Sequence, residues 1–245
     1  MIHIPKADHR ANWLLAAVLP NDFALLETDL ELVELTRGQV LYETGDIMHY
    51  VYFPHEVIIS LVNLMEDCGI VEVGVFGREG AAGLHGAMAT RESFGRYMVQ
   101  MPGTASRIAY KRLDEVRSAR PRLRQLLTDY GEAMLAQTLQ IVSCNAVHRV
   151  EARCCRWILS LQDRMGQDSL PLTHEFLAEM LGVQRPAVSV VARTLQTAKL
   201  IQQARGNITV LDRAGLEKTT CECYSKIRRI YERLLPGTYS QIHSR

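Results

Sequence analysis

"LTHEFLAEMLGVQRPAVSVV", residues 172–191, has the apolar spacing of one amphipathic helix until Gly182 and Pro186 interrupt it. Thr173 can cap a helix whose first turn holds Glu175, an anion well placed at the positive end of the helix dipole. Leu177, Ala178 and Leu181 fall on one face, and Gly182 follows them, where a residue without a Cβ takes the positive φ of a tight turn. Pro186 suits a first helical position, and it pushes the residue before it, Arg185, out of the helical region and onto the cap. The spacing therefore predicts a second helix starting at Pro186. Its apolar face is Val188, Val191 and Leu195, with Arg185, Ser189 and Arg193 four apart on the opposite face.

A short helix, a glycine turn and a second helix with a basic outer edge are the parts of a helix-turn-helix, whose second helix enters the major groove of double-stranded DNA. Ala178, Gly182, Val188 and Val191 stand at the separations this motif needs for a small residue, a turn glycine and two core contacts. The plain alternative is an αα-hairpin in an ordinary helical domain. Farther on, Ile201 to Gln203 and Ile208 to Leu211, joined through Arg205, Gly206 and Asn207, read as a small hairpin that adds a wing. The candidate DNA-contacting residues are Gln184, Arg185, Pro186, Ser189, Arg193 and Arg205, and Lys199 adds to the local basic cluster.

The 245 residues carry a net charge of +1, which excludes a uniformly basic nucleic-acid coat and requires a local cluster for any DNA affinity. Trp13 to Leu19 is too short to span a bilayer and lacks a small-residue cleavage pattern, so a cytoplasmic protein without membrane contact is expected. Six cysteines, at 68, 144, 154, 155, 221 and 223, lack the regular spacing of a secreted disulfide framework. A capped N-terminal helix is expected from Asn21 until Gly38 stops it. Strand-like runs follow at Gln39–Glu43, Tyr50–Phe53, Val57–Leu64, Ile70–Phe76, Tyr97–Met101 and Ser106–Tyr110, separated by turn residues, and imply a β-barrel or sandwich.

From Pro121 the period turns helical. Leu123, Leu127, Tyr130, Met134, Gln137 and Ile141 step alternately by four and three, the seam of a coiled coil. A helix-turn-helix reads few base pairs, and a twofold axis supplies a second half-site, so this stripe is assigned to a homodimer. Cys144 prolongs it, and two copies of that thiol would meet across the dimer as a redox-sensitive disulfide. The resulting fold is α+β, with an effector or sensor domain at 1–118, a dimerisation helix at 119–147 and a DNA-binding domain at 148–245.

An enzyme is the main competing class, as a cupin-like metal-dependent oxygenase joined to a helical domain. His49 and His55 flank a strand, but no His-x-His with a following Glu supplies a three-ligand face. No nucleophile motif occurs, "GREG" at 77–80 is too short for a phosphate loop, and no catalytic residue is assigned.

The order of parts, with "LTHEFLAEMLGVQRPAVSVVARTLQTAKLI" and "GQVLYETGD", resembles the Crp/Fnr family of bacterial transcription regulators. That resemblance implies a cyclic-nucleotide-binding-type, jelly-roll-like β-roll, a dimerisation helix, a winged helix-turn-helix and RNA polymerase as a partner. Arg185 matches the arginine that members place at the start of the recognition helix, where a guanidinium pairs with guanine O6 and N7. Pro186 stands where cyclic-AMP-responsive members place a base-contacting glutamate, and Val190 where they place a second arginine.

The corresponding effector stretch, "GLHGAMATRESFGRYMV", has Leu84 in place of the ribose-binding carboxylate and Tyr97 after Arg96 in place of serine. The tentative pocket is Gly83, Leu84, His85, Arg96 and Tyr97. Since a ribose hydroxyl would lose its partner there, an effector other than cyclic AMP, or none, is expected. The clustered N-terminal cysteines of the iron-sulfur branch are missing, and Cys68 or His85 alone is thin support for haem. Cys221 and Cys223, even with Cys154 and Cys155, do not form a standard zinc spacing; they are read as buried thiols, and neither metal nor cofactor is assigned.

Overall fold

The computed structural model describes residues 8–66, 69–84 and 90–236, and the chain divides into two compact units, Met1–Ile59 with Phe76–Gly131 and Ser60–Val75 with Glu132–Arg245. Helices α1 (Trp13–Ala16) and α2 (Pro20–Glu27) precede β1 (Glu31–Leu35), β2 (Val40–Tyr42), β3 (Tyr50–Pro54), β4 (Ile58–Met65) and β5 (Gly69–Phe76). Then come β6 (Arg96–Met101), β7 (Gly103–Ala109), α3 (Tyr110–Ala119) and the 27-residue α4 (Pro121–Val147).

In the first unit β7 lies between β1 and β3, antiparallel to both, with Val51 opposite Ile108 and Glu31 opposite Arg107. Alternation puts Val51 and Phe53 on one buried face with their partners Ile108 and Ser106. Buried Asn12 spends its polar atoms fully: its amide donates to the carbonyls of Pro54 and Gly80, and its oxygen accepts from Leu15 N. The Tyr130 hydroxyl on α4 accepts from Ala81 N at 2.9 Å and donates to Ala81 O at 3.1 Å.

The second unit contains α5 (Val150–Met165), β8 (Ser169–Leu170), α6 (His174–Leu181), α7 (Arg185–Thr197), β9 (Ile201–Ala204), β10 (Asn207–Val210), α8 (Arg213–Thr219) and α9 (Cys223–Leu234). Cys154, Cys155, Trp157, Ile158 and Leu161 bury one broad face of α5. Glu72 on β5 is also buried, its two oxygens accepting from Ser60 Oγ at 2.6 Å and Trp157 Nε1 at 3.0 Å. A carboxylate with both oxygens satisfied avoids most of the cost of burial. Among the described residues no helix is long and apolar enough to cross a membrane.

The α+β class and the order of sheets, long helix and helix-turn-helix stand as expected. Two local expectations fail. The N-terminal helix stops at Glu27, and "ELVEL" is strand β1; a run of leucines and glutamates has good helix propensity, but five registered pairs with β7 and the 2.8 Å ion pair of Glu31 with Arg107 override it. The last roll strand begins at Gly103, and Tyr110 opens α3, which buries Leu113 and Val116.

Candidate nucleic-acid interface

Local chemistry explains the break in the 172–191 stretch. Thr173 Oγ1 accepts from Phe176 N at 3.1 Å, capping α6, and Gly182 ends it at φ +62°. There Gly182 N bonds Glu179 O and Val183 N bonds Ala178 O, while the Arg153 guanidinium donates to the Leu181 carbonyl. The cap of α7 is Gln184, not Arg185: Arg185 and Pro186 are its first and second helical residues. A proline lacks only an amide that the first turn leaves without an intrahelical partner, so the second position suits it as well as the first.

Val188, Ala192 and Leu195 anchor α7, and Val191 is half-buried. Burying side chains the size of Val188 and Leu195 contributes about 1.5–3 kcal/mol each, enough to fix which edge of α7 faces outward. That edge carries Gln184, Arg185, Pro186, Val190 and Arg193, all exposed. The wing pairs β9 with β10 around a tight Arg205–Gly206 turn, where Gly206 takes φ +71°. β8 completes the sheet in the order β8-β10-β9. Arg185, Glu175, Gln203 and Arg205 border one cleft between the start of α7 and the wing.

Two sets of contacts that the sequence does not announce organise this surface. His174 Nε2 lies 2.6 Å from Gln203 Oε1, a carbonyl acceptor, so Nε2 carries the proton and Nδ1 accepts from the Ser189 hydroxyl at 3.0 Å. Ser189 is thus half-buried with its proton committed to His174, and the chain Ser189–His174–Gln203 braces α7 against the wing. Glu175 Oε1 accepts from Arg185 Nε at 2.6 Å. Both partners are largely exposed, so this ion pair is worth at most about 1 kcal/mol and yields readily to a base edge or phosphate. No periodicity signals either contact, because both reach across the turn.

Arg185→Ala is expected to weaken a cognate site by about 1–3 kcal/mol and to relax preference at one base pair, whereas Glu175→Ala raises affinity for all sequences by no more than about fivefold. Binding titrations on the cognate duplex and its single-base variants check both. Equal loss on every sequence for Arg185→Ala would make that residue a phosphate contact.

In the first unit, Gly83 sits at φ +87° and Leu84 is buried, while His85 lies outside the described residues. Arg96 is engaged by Glu43 Oε2 at 2.8 Å, on the surface. Tyr97 is buried beside Gly83, and burial pushes its hydroxyl up to about 12. The Tyr97 ring stacks on Phe76 at 5.6 Å and meets Tyr42 edge-on at 6.1 Å; Tyr42 in turn meets Tyr52 at 6.2 Å. The Tyr50 carbonyl, Met48 and the Tyr42 ring crowd Gly83, and the Tyr97 hydroxyl bonds its backbone, so calorimetric titration of cyclic AMP and cyclic GMP is expected to show no binding at micromolar concentration. A saturable heat from either nucleotide would contradict this.

The stripe assigned to a dimer seam is covered by its own chain. Leu123, Leu127, Tyr130, Met134, Gln137 and Ile141 are all buried within a single chain. Tyr130 is spent on Ala81, Met134 Sδ lies 2.9 Å from the Tyr231 hydroxyl, and Gln137 Oε1 accepts from Arg164 at 3.4 Å. A heptad stripe reports burial and not the identity of the surface that buries it. The other side of α4 presents a second stripe with the same stepping, Leu135, Leu139 and Val142, each at least 60% exposed. Cys144 is fully buried, 3.5 Å from Cys221 Sγ of its own chain.

Residues 152–219 match the family model described as a Crp-like helix-turn-helix domain, so the surface built from α6, α7 and the wing belongs to a DNA-binding domain of that kind. No protein of curated function matches the chain by sequence. Among solved structures, the chain is similar to the c-di-GMP-responsive global regulator CLP of Xanthomonas campestris, with a TM-score of 0.64 and 16% identity over 78% of this chain and 98% of that one. It is similar to a Crp/Fnr-family regulator from Eubacterium rectale, with a TM-score of 0.63 and 16% identity over 86% and 98%. FixK2 from Bradyrhizobium japonicum gives a TM-score of 0.64 and 14% identity over 78% and 98%. These likenesses establish the fold.

Proposed function

We propose that this Crp/Fnr-type transcription regulator acts as a homodimer on an inverted-repeat DNA site and carries no catalytic activity. The observation that carries the reading is the exposed edge of α7, where Arg185, Val190 and Arg193 stand beside a wing tipped by Arg205. Arg185 reads a guanine at the entering end of the helix, Pro186 and Val190 meet the groove as apolar surface, and Arg193 and Arg205 neutralise phosphates. Gln184 lies next to the same base step. Because Ser189 already serves His174, it positions α7 and does not read a base.

Two copies joined along Leu135, Leu139 and Val142 present two reading helices, with half-sites about 34 Å or a multiple apart. The ring-filled interior near Gly83 and the Arg96–Glu43 ion pair support control by something other than cyclic AMP. RNA polymerase is the protein partner that regulators of this type engage.

Selection of bound sequences from a random duplex pool, with purified protein and no added ligand, tests the reading. Enrichment of an inverted repeat supports a dimer competent without effector. An enriched single half-site overturns the dimer, and only weak, salt-sensitive binding overturns the effector-free competence.

A further inference from the structure

Cys144 on the last turn of α4 and His148 just beyond it stand four residues apart, one helical turn, and so share a face. Cys221 and Cys223 flank Glu222 where α9 begins. Their four donor atoms lie within 4.8 Å of one another, with Cys144 Sγ 3.5 Å from Cys221 Sγ and Cys223 Sγ 3.6 Å from His148 Nδ1. Around a tetrahedral zinc ion, with Zn–S about 2.3 Å and Zn–N about 2.0 Å, neighbouring donors are roughly 3.5–3.8 Å apart. The observed set closes onto such an ion with shifts of about an ångström or less. We propose that Cys144, His148, Cys221 and Cys223 form a zinc site of three thiolates and one imidazole that ties the end of α4 to the start of α9.

The surroundings are those of a metal shell. His148 Nε2 donates to Glu222 Oε2 at 3.2 Å, which fixes the tautomer and leaves the Nδ1 lone pair facing the sulfurs, the carboxylate–imidazole–metal arrangement. The Gln140 amide donates to Cys223 Sγ at 3.1 Å, as an outer hydrogen bond to a ligating thiolate does. Zn²⁺ with three thiolates carries one net negative charge. Buried Arg156 acts on both Cys144 and Cys221, and its Nε has no hydrogen-bond partner among the described residues, so it supplies the compensating charge.

All three cysteines are buried and every tetrahedral position is taken by protein, so the site is structural and not hydrolytic. Binding releases to solvent the protons that the cysteines still hold, and His148 ligates as the neutral ring. Cys154 and Cys155, grouped with the CEC pair on sequence, lie on α5 outside this cluster. Its sequence signal is weak because the ligands come as two pairs from opposite ends of the second unit.

The site also bears on the DNA-binding surface. Ala152 packs against the cysteines and its carbonyl accepts from Thr220, while the next residue, Arg153, holds the carbonyl that ends α6.

The test uses the full chain purified under reductant. Elemental analysis is expected to give one zinc per chain, and replacement by Co²⁺ to give the d–d and thiolate charge-transfer bands of a tetrahedral sulfur-rich site. C144S and C223S each lose the metal and those bands, while C154S retains both. Removing zinc from the unmutated chain with a chelator lowers its melting temperature, and adding zinc back restores it, a readout independent of how the variants fold. Full-length protein that holds no zinc and gives no tetrahedral Co²⁺ spectrum overturns the proposal, as does a reduced C144S/C223S chain that keeps stoichiometric metal.

Discussion

Arg213→Ala is expected to destabilise the second unit by about 3–5 kcal/mol, the loss typical of stranding one member of a buried ion pair. Asp163 on α5 has only 1% of its side chain exposed. Its Oδ1 accepts from Arg213 Nη2 at 2.8 Å and its Oδ2 from the Tyr224 hydroxyl at 2.7 Å. Arg213 also donates to Gln162 Oε1 at 2.7 Å and to the Tyr224 oxygen at 2.6 Å, and pairs with Glu217 at 3.1 Å. One guanidinium thereby holds α5, α8 and α9 together. Without it the carboxylate keeps, among the described residues, the neutral Tyr224 hydroxyl as its donor, in a place with 1% of the side chain exposed.

Urea unfolding followed by Trp157 fluorescence, in a Trp13→Phe background, checks the loss. Asp163→Asn in the same chain should recover a large part of it by removing the stranded charge, since an amide is far cheaper to bury than a carboxylate. A loss below about 1 kcal/mol would mean that water screens the pair as it does an exposed one.

The legible parts of this molecule were those written in local backbone chemistry. Thr173, Gly182 and Pro186 specify a cap, a left-handed turn and a helix start regardless of what surrounds them, and the wing follows from Gly206 at a two-residue turn. The failures share a cause, since each depends on which surface comes to cover a given face. "ELVEL" is a strand because β7 pairs with it. The stripe from Leu123 to Ile141 is apolar because its own chain covers it. Arg185 was legible as an outward cation, whereas its Glu175 partner and the His174 bridge to Gln203 depend on the angle at which α6, α7 and the wing meet. The Cys144–His148–Cys221–Cys223 cluster was hidden for the same reason: no local pattern announces a site made by bringing two distant helix ends together.

The exposed face of α4 leads to the other large effect. Leu135, Leu139 and Val142 continue the steps of four and three on the exposed side, with Glu132 and Ala146 in step at either end. In a twofold dimer the same residues meet their own copies, so each substitution is made twice at one interface. Leu139→Glu puts two carboxylates into an apolar seam, where their desolvation and mutual repulsion oppose association. The chain should remain folded, because Leu139 is 60% exposed in the single copy, and sediment as a monomer at micromolar concentration. Since two linked half-site contacts exceed either alone by 10²–10⁴, affinity for an inverted repeat should fall by at least about 100-fold while affinity for a lone half-site is unchanged. Leu127→Ala discriminates between the two faces: it empties a buried position and should cost about 2–5 kcal/mol of stability, yet leave the dimer intact. If Leu127→Ala dissociates the protein and Leu139→Glu does not, the stripe first read from the sequence is the interface after all, and α4 must leave its present packing to form it.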